Sequence, residues 1–273
     1  MVTQAEKGSK FQELHARAGA FILANAWDAG SARLLEHCGF EAIATTSAGF
    51  AFSIGEADRI PGRDSVLANA ADIVRATSLP VSADLKNAFG TEERAVFETI
   101  TLAGAAGLAG ASLEDVSYDP GAPLLPLERA RELVRAAVEA ARAHPFPFLV
   151  TARAENYLVG RADLADVIQR LQAYQEAGAD VLYAPGLTRE DDIRTVVRSV
   201  DRPVNVVMGL SGAAFSLAEL SRMGVKRVSV GSALARRAYG ALLDAAQEMR
   251  EEGTFTFGKD AAPFAVLERI FAR

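Results

Sequence analysis

The stretch Pro80-Val81-Ser82-Ala83-Asp84-Leu85-Lys86-Asn87-Ala88-Phe89-Gly90 reads as a short buried strand that leaves into a polar turn and stops at a glycine. Similar units recur along the chain, several with an acid, an arginine or a small polar cluster just past the apolar run. Parallel strands closed into a barrel bring all such ends to one rim, where active sites are built. Asp84 and Lys86, two residues apart, can then face the same mouth.

Working outward, eight strand candidates alternate with helices: Phe21–Ala26, Ala42–Thr46, Pro80–Asp84, Ala109–Leu113, Phe146–Ala152, Val181–Ala184, Pro203–Val207 and Arg227–Val230. A glycine follows a short residue before four of them, at Gly39, Gly107, Gly178 and Gly224, as expected for helix-to-strand turns with a left-handed exit. Thr91 is placed to cap the helix after the third strand. Ser47 to Arg63 reads as one long loop containing Phe50, Phe52 and Asp58, of the kind that serves function. No linker or composition shift divides the 273 residues. The expectation is a single (β/α)8 TIM barrel over 1–273, an α/β fold with residues 233–273 as a C-terminal helical extension.

Half the residues are hydrophobic and the formal net charge is −6, with a pI near 5.3. That balance argues against nucleic-acid and anionic-membrane partners. Cys38 is the single cysteine, which excludes an internal disulfide; its place before Gly39 suggests a buried structural thiol. With a polar start and no long apolar run, the expected setting is cytoplasmic. The histidines, His15, His37 and His144, lie away from strand exits, against a His-held metal or a histidine base. No dinucleotide or P-loop motif is present, and the Gly209–Gly212 segment lacks the spacing and the lysine. Gly231-Ser232 reads as a plain strand-to-helix turn, with phosphate binding as its alternative.

The rim acids are better placed. Asp84 and Glu114 leave neighbouring strands, and Asp58 lies on the long loop; hard oxygen ligands of this kind suit Mg²⁺. Arg153 can hold a carboxylate with its planar fork. Thr46, Ser47 and Ala48 offer a hydroxyl and backbone N–H groups to an anion. Trp27 and Asn205, in the first loop and on the seventh strand, complete the candidate substrate-binding set.

Several segments resemble the isocitrate lyase/phosphoenolpyruvate mutase superfamily: Asn25-Ala26-Trp27-Asp28-Ala29-Gly30-Ser31, Thr45-Thr46-Ser47-Ala48-Gly49, Pro80 to Asp84, Ser112-Leu113-Glu114-Asp115 and Arg227 to Ala233. The resemblance spans nearly the whole chain. It implies a Mg²⁺-dependent barrel that breaks or rearranges C–C or P–C bonds of 2-oxo acids, as a homo-oligomer (dimer or tetramer) exchanging a C-terminal helix. By position it makes Asp84 the principal metal carboxylate and Glu114 a water-mediated one, Asp58 the loop acid, and Thr46–Ala48 with Arg153 the substrate cradle. Three departures follow: Lys86 replaces the second acid of the Asp-x-Asp/Glu pattern, the lyases' cysteine loop is absent after Glu114, and Ser112 stands where lyases carry histidine. An ammonium beside Asp84 opposes Mg²⁺ by repulsion. The expected function is an enzyme acting on a small 2-oxo (di)carboxylate such as oxaloacetate or 2-oxoglutarate through an enolate, not an isocitrate lyase, with Asp58, Lys86 and Glu114 as catalytic groups. The alternatives are a Schiff-base aldolase using Lys86, whose bland counterpart is a salt bridge to Asp84 or Glu114, and a non-catalytic 2-oxo acid binding protein.

Overall fold

The computed structural model describes residues 2–210, 212 and 214–272; Met1, Ser211, Ala213 and Arg273 lie outside it, among them the serine of the Gly209–Gly212 segment. Eight parallel strands close a barrel in sequence order, each hydrogen-bonded to the next and the last to the first. They are β1 (Phe21–Ala26), β2 (Ile43–Thr45), β3 (Val81–Asp84), β4 (Gly110–Glu114), β5 (Leu149–Arg153), β6 (Val181–Tyr183), β7 (Val204–Val207) and β8 (Arg227–Ser229). This is the α/β TIM barrel that the alternation of apolar runs and glycine turns predicts.

Strand periodicity sorts the side chains into two sets. Outward residues such as Ile43, Val81, Leu113, Val150, Leu182 and Val206 are buried in the main core with the helices. Inward residues divide by height. At the bottom, Phe21, Leu23, Ala44, Leu149 and Val181 form an apolar plug with Phe11 and Leu14. The last two come from α1 (Gln4–Ala16), a helix whose start is fixed by a capping box between Thr3 and Glu6. His15 of α1 packs edge-on to Phe11 and Phe21, with ring centroids 4.7 and 5.0 Å apart. Above the plug the interior turns polar.

Three local expectations change. The Ser47–Arg63 stretch is not all loop: α3 (Ser47–Ser53) starts at Thr46, whose Oγ1 accepts the Gly49 N–H at 3.3 Å. Thr91 is not a cap; Glu92 precedes α5 (Glu93–Ala105) without a side-chain capping bond, and the Thr91 carbonyl accepts from Arg129. Cys38 is exposed rather than buried, because the C-terminal turn of α2 (Ala29–His37) faces outward while Ala32 and Leu35 face the core.

After β8 come α10 (Ala233–Glu251), a 3-10 turn (Thr256–Asp260) and α11 (Phe264–Phe271). The α11 helix lies on α2 of the same chain, where Arg33 donates to the Phe271 carbonyl at 3.0 Å. No helix among the described residues is long and apolar enough to cross a membrane.

Candidate active site

At the carboxyl ends of the strands the barrel opens into a cavity of about 340 Å³. Register builds its centre. Glu114 of β4 sits directly opposite Arg153 of β5, Arg153 opposite Tyr183 of β6, and Asp84 of β3 opposite Ser112 of β4. Arg153 is the hub. Its Nη1 reaches Glu114 at 2.8 Å and Asp84 at 3.1 Å, its Nε reaches Glu155 at 2.8 Å, and its guanidinium lies 4.9 Å over the Tyr183 ring. One rigid fork thus serves three acids, a geometry that a lysine cannot supply.

Burial pushes the Glu114 carboxyl well above the usual carboxylate range, against the pull of Arg153 and with help from Glu155, Asp84 and Asp58. Glu155 is raised for the same leading reason. Burial disfavours the Arg153 cation, yet Glu114, Glu155 and Asp84 more than offset it and hold the guanidinium charged. Buried acids of raised pKa beside a fixed cation are groups of the kind found at functional sites.

A second layer of contacts orients this cluster. Asp84 Oδ2 accepts the Ser47 N–H at 3.2 Å, and the Asp84 N–H donates to Thr45 Oγ1 at 2.9 Å. Behind Glu155, the buried Asp115 accepts the Glu155 N–H at 2.9 Å, Arg170 Nη1 at 3.0 Å and the Tyr174 hydroxyl at 2.6 Å. Arg170 also bonds Asp166 at 2.9 Å.

Lys86 lines the cavity but is bound neither to Asp84 nor to Glu114. Its ammonium donates to the Asp58 carbonyl and lies 3.9 Å from Asp58 Oδ1, a buried oxygen with no hydrogen-bond partner among the described residues. The cause is backbone: Lys86 (φ 53°), Ala88 (φ 57°) and Phe89 (φ 60°) all adopt left-handed conformations without being glycine. Tyr118, in the loop after β4, does the same at φ 61°. Every non-glycine residue of positive φ among those described thus stands in the two loops over the cavity. Strain of this kind concentrates at functional sites. Arg59, beside Asp58, lies 5.4 Å over the Tyr118 ring, so the loop after α3 reaches across the mouth.

Of the residues predicted from sequence, Thr46, Ser47, Ala48, Asp58, Asp84, Lys86, Glu114, Arg153 and Asn205 all line this one cavity. Trp27 does not. Its backbone N–H donates to Ser31 Oγ at 3.0 Å, and its Cβ packs beside Gly49, so it closes the turn into α2 instead. Sequence reasoning passed over Glu155, Tyr118, Tyr183, Arg59 and Arg227, which also line the cavity. Only Glu155 stands at strand spacing from a predicted residue, two positions beyond Arg153.

The carboxylates do not fit a divalent ion as they stand. Asp84, Glu114 and Glu155 converge on the Arg153 guanidinium, and Lys86 brings an ammonium to the same cavity. Among the described residues no group of three or more His, Cys, Asp or Glu side chains is arranged to hold a metal.

Comparison with known proteins identifies the family. The family model for phosphoenolpyruvate phosphomutase matches residues 11–250. A Burkholderia cenocepacia J2315 protein assigned as a lyase/mutase superposes with a TM-score of 0.98 at 57% identity, covering 99% of this chain and 98% of that one. The oxaloacetate decarboxylase of Chromohalobacter salexigens is 27% identical over 91% of this chain and 87% of its own length. The 2-methylisocitrate lyase of Shewanella oneidensis is 28% identical over 90% and 86%. With its closed barrel, its rim cluster and a family match running from α1 to α10, this chain belongs to the phosphoenolpyruvate phosphomutase family of the isocitrate lyase/PEP mutase superfamily.

Proposed function

We propose that the protein is an enzyme of the lyase/mutase type that binds a small 2-oxo (di)carboxylate, such as oxaloacetate or 2-oxoglutarate, and stabilises the enolate formed from it. The observation that carries this reading is Arg153 held charged between Asp84 and Glu114 at the bottom of the rim. A fixed cation and a proton-bearing acid, aimed at the place where enolate charge develops, cost no reorganisation when that charge appears. Arg153 binds and orients the oxo and carboxylate oxygens through donors left over from its three acids. Glu114 holds the proton that the enolate oxygen or carbon receives. Lys86, fixed by Asp58, adds positive field from the loop above. No step here calls for Mg²⁺, whose expected ligands are engaged with the guanidinium.

Calorimetric titration with a panel of 2-oxo mono- and dicarboxylates, in Mg²⁺ and again in EDTA, tests this. The expected result is binding of at least one dicarboxylate in both buffers. Absence of heat with every ligand overturns the reading, and binding only with Mg²⁺ overturns the metal-free part of it. A Schiff base on Lys86 finds no support, since its ammonium is already engaged as a donor to Asp58.

The homo-oligomer reading draws support from the C-terminal helices. Only Ala235 of α10 is buried, while Leu242, Leu243, Phe255 and Phe264 are 62%, 69%, 71% and 78% exposed. Large apolar groups gathered on one segment mark an association surface. Light scattering should return a mass of at least a dimer, and Leu242→Glu with Leu243→Glu should lower it. A wild-type monomer at micromolar concentration ends this reading.

A further inference from the structure

Under the rim cluster the cavity continues into a polar well. Ser82, Ser112, Tyr183, Asn205 and Ser229 line it, at heights where such barrels ordinarily pack branched aliphatic side chains. Its floor is Arg227 of β8, which lines the same cavity and is 3% exposed.

Arg227 is a buried cation with no anion among its hydrogen-bond partners in the described residues. Nε donates to Asn205 Oδ1 at 2.8 Å, Nη2 donates to Thr151 Oγ1 at 3.1 Å, and Nη1 faces His15 Nε2 at 3.4 Å. All three partners are neutral. His15 qualifies because burial, and then the charge of Arg227 itself, push its ring down to about 3; its other nitrogen is satisfied by the Phe11 carbonyl at 2.7 Å. None of its hydrogen-bond partners among the described residues is a carboxylate. The rim acids Asp84, Glu114 and Glu155 are all turned to Arg153. Burial pushes the Arg227 guanidinium down to about 9, opposed by Tyr183 and reinforced by Arg153. A guanidinium carries five N–H donors, and three acceptors leave two hydrogens unassigned beside an accessible polar space. A buried charge in that state is stabilised by pairing.

We propose that Arg227 is the floor of a site for one compact monoanionic group, either a free halide-sized ion or a single carboxylate lowered into the well, with the hydroxyls of Ser229 and Tyr183 as neutral partners. The carboxylate source rests on the function proposed above and assigns to Arg227 the distal carboxylate of a dicarboxylate ligand. The free-ion source does not rest on it.

Crystals grown without halide and soaked in sodium bromide decide the matter through bromine anomalous scattering. The expected result is a peak within hydrogen-bond distance of the Arg227 guanidinium. Peaks confined to surface arginines and lysines, or none, overturn the proposal. A second soak adds oxaloacetate or 2-oxoglutarate. Displacement of bromide identifies the ligand's carboxylate as the natural occupant, and retention identifies a resident inorganic anion. Should calorimetry find no 2-oxo acid ligand while the bromide peak stands, only the function falls. In solution, Arg227→Gln should raise the half-saturating bromide concentration, read from the anion-dependent rise in Tm, by about tenfold or more, while Arg227→Lys should restore part of the loss. An unchanged bromide dependence in Arg227→Gln counts against the site. If that variant does not fold, the wild-type diffraction still decides.

Discussion

Arg153→Met should lower stability by about 3–5 kcal/mol at neutral pH, the range for stripping one partner from a buried ionic cluster. The methionine fills much of the space but leaves Asp84, Glu114 and Glu155 facing one another without their shared cation. Two of those acids already carry raised pKa values with the arginine in place; without it both shift further up. An acid whose folded pKa lies above its unfolded value stabilises the fold at low pH and loses that contribution as pH rises through the folded value. The variant's deficit should therefore be small near pH 5 and large near pH 8, as read by urea unfolding at the two pH values. Arg153→Lys should fall between, since an ammonium cannot serve three carboxylates from one plane. A deficit that grows towards low pH, or none at all, removes Arg153 from the centre of the site.

The same substitution should also weaken binding of the 2-oxo ligand by roughly 30-fold or more, from the ~2 kcal/mol or greater cost of losing a buried charged contact. Calorimetry at pH 5, where the variant is best folded, separates that loss from unfolding. The exposed pair of Arg17 with Glu41, at 2.6 Å and with side chains 42% and 46% exposed, gives the scale for contrast. Breaking it should cost under about 1 kcal/mol, since solvent screens such pairs.

The barrel was legible because its signals are local. Apolar runs, glycine exits and helical periodicity each span a few residues, and their order alone closes the sheet. The rim acids and Arg153 were legible for the same reason, as each stands at the end of a run. What stayed hidden depends on contacts far along the chain. Lys86 and Asp58 are 28 residues apart, and three residues of one loop, Lys86, Ala88 and Phe89, adopt left-handed backbone without glycine where they meet; nothing in Lys-Asn-Ala-Phe announces that. The α3 helix escaped because it is short, contains Gly49 and two phenylalanines, and owes its start to a single hydroxyl. The glycine after Cys38 suggests a buried thiol, yet the face of α2 that it ends on is decided by Ala32 and Leu35. Tyr183 and Arg227 read as ordinary strand residues until the register turns them inward.

Asp115 shows how far the site extends beyond the cavity, which it does not line. Its carboxylate ties Arg170 and Tyr174 to the Glu155 backbone, and Glu155 in turn holds Arg153 Nε. Asp115→Ala should cost about 3–5 kcal/mol, because it leaves a buried phenol and part of a buried guanidinium without an acceptor. Asp115→Asn keeps one carbonyl oxygen and should recover part of that stability. Asp115 is a positioning residue, so its effect on function should appear as weaker ligand binding in the folded Asp115→Asn protein. Releasing the Glu155 N–H loosens the acid that fixes the Arg153 fork, and a fork displaced by a fraction of an ångström serves its ligand poorly. Calorimetry on that variant against wild type at one pH measures the coupling. Equal affinity in a protein of reduced stability would confine Asp115 to the scaffold and show that Arg153 is held in place by Glu114 and Asp84 alone.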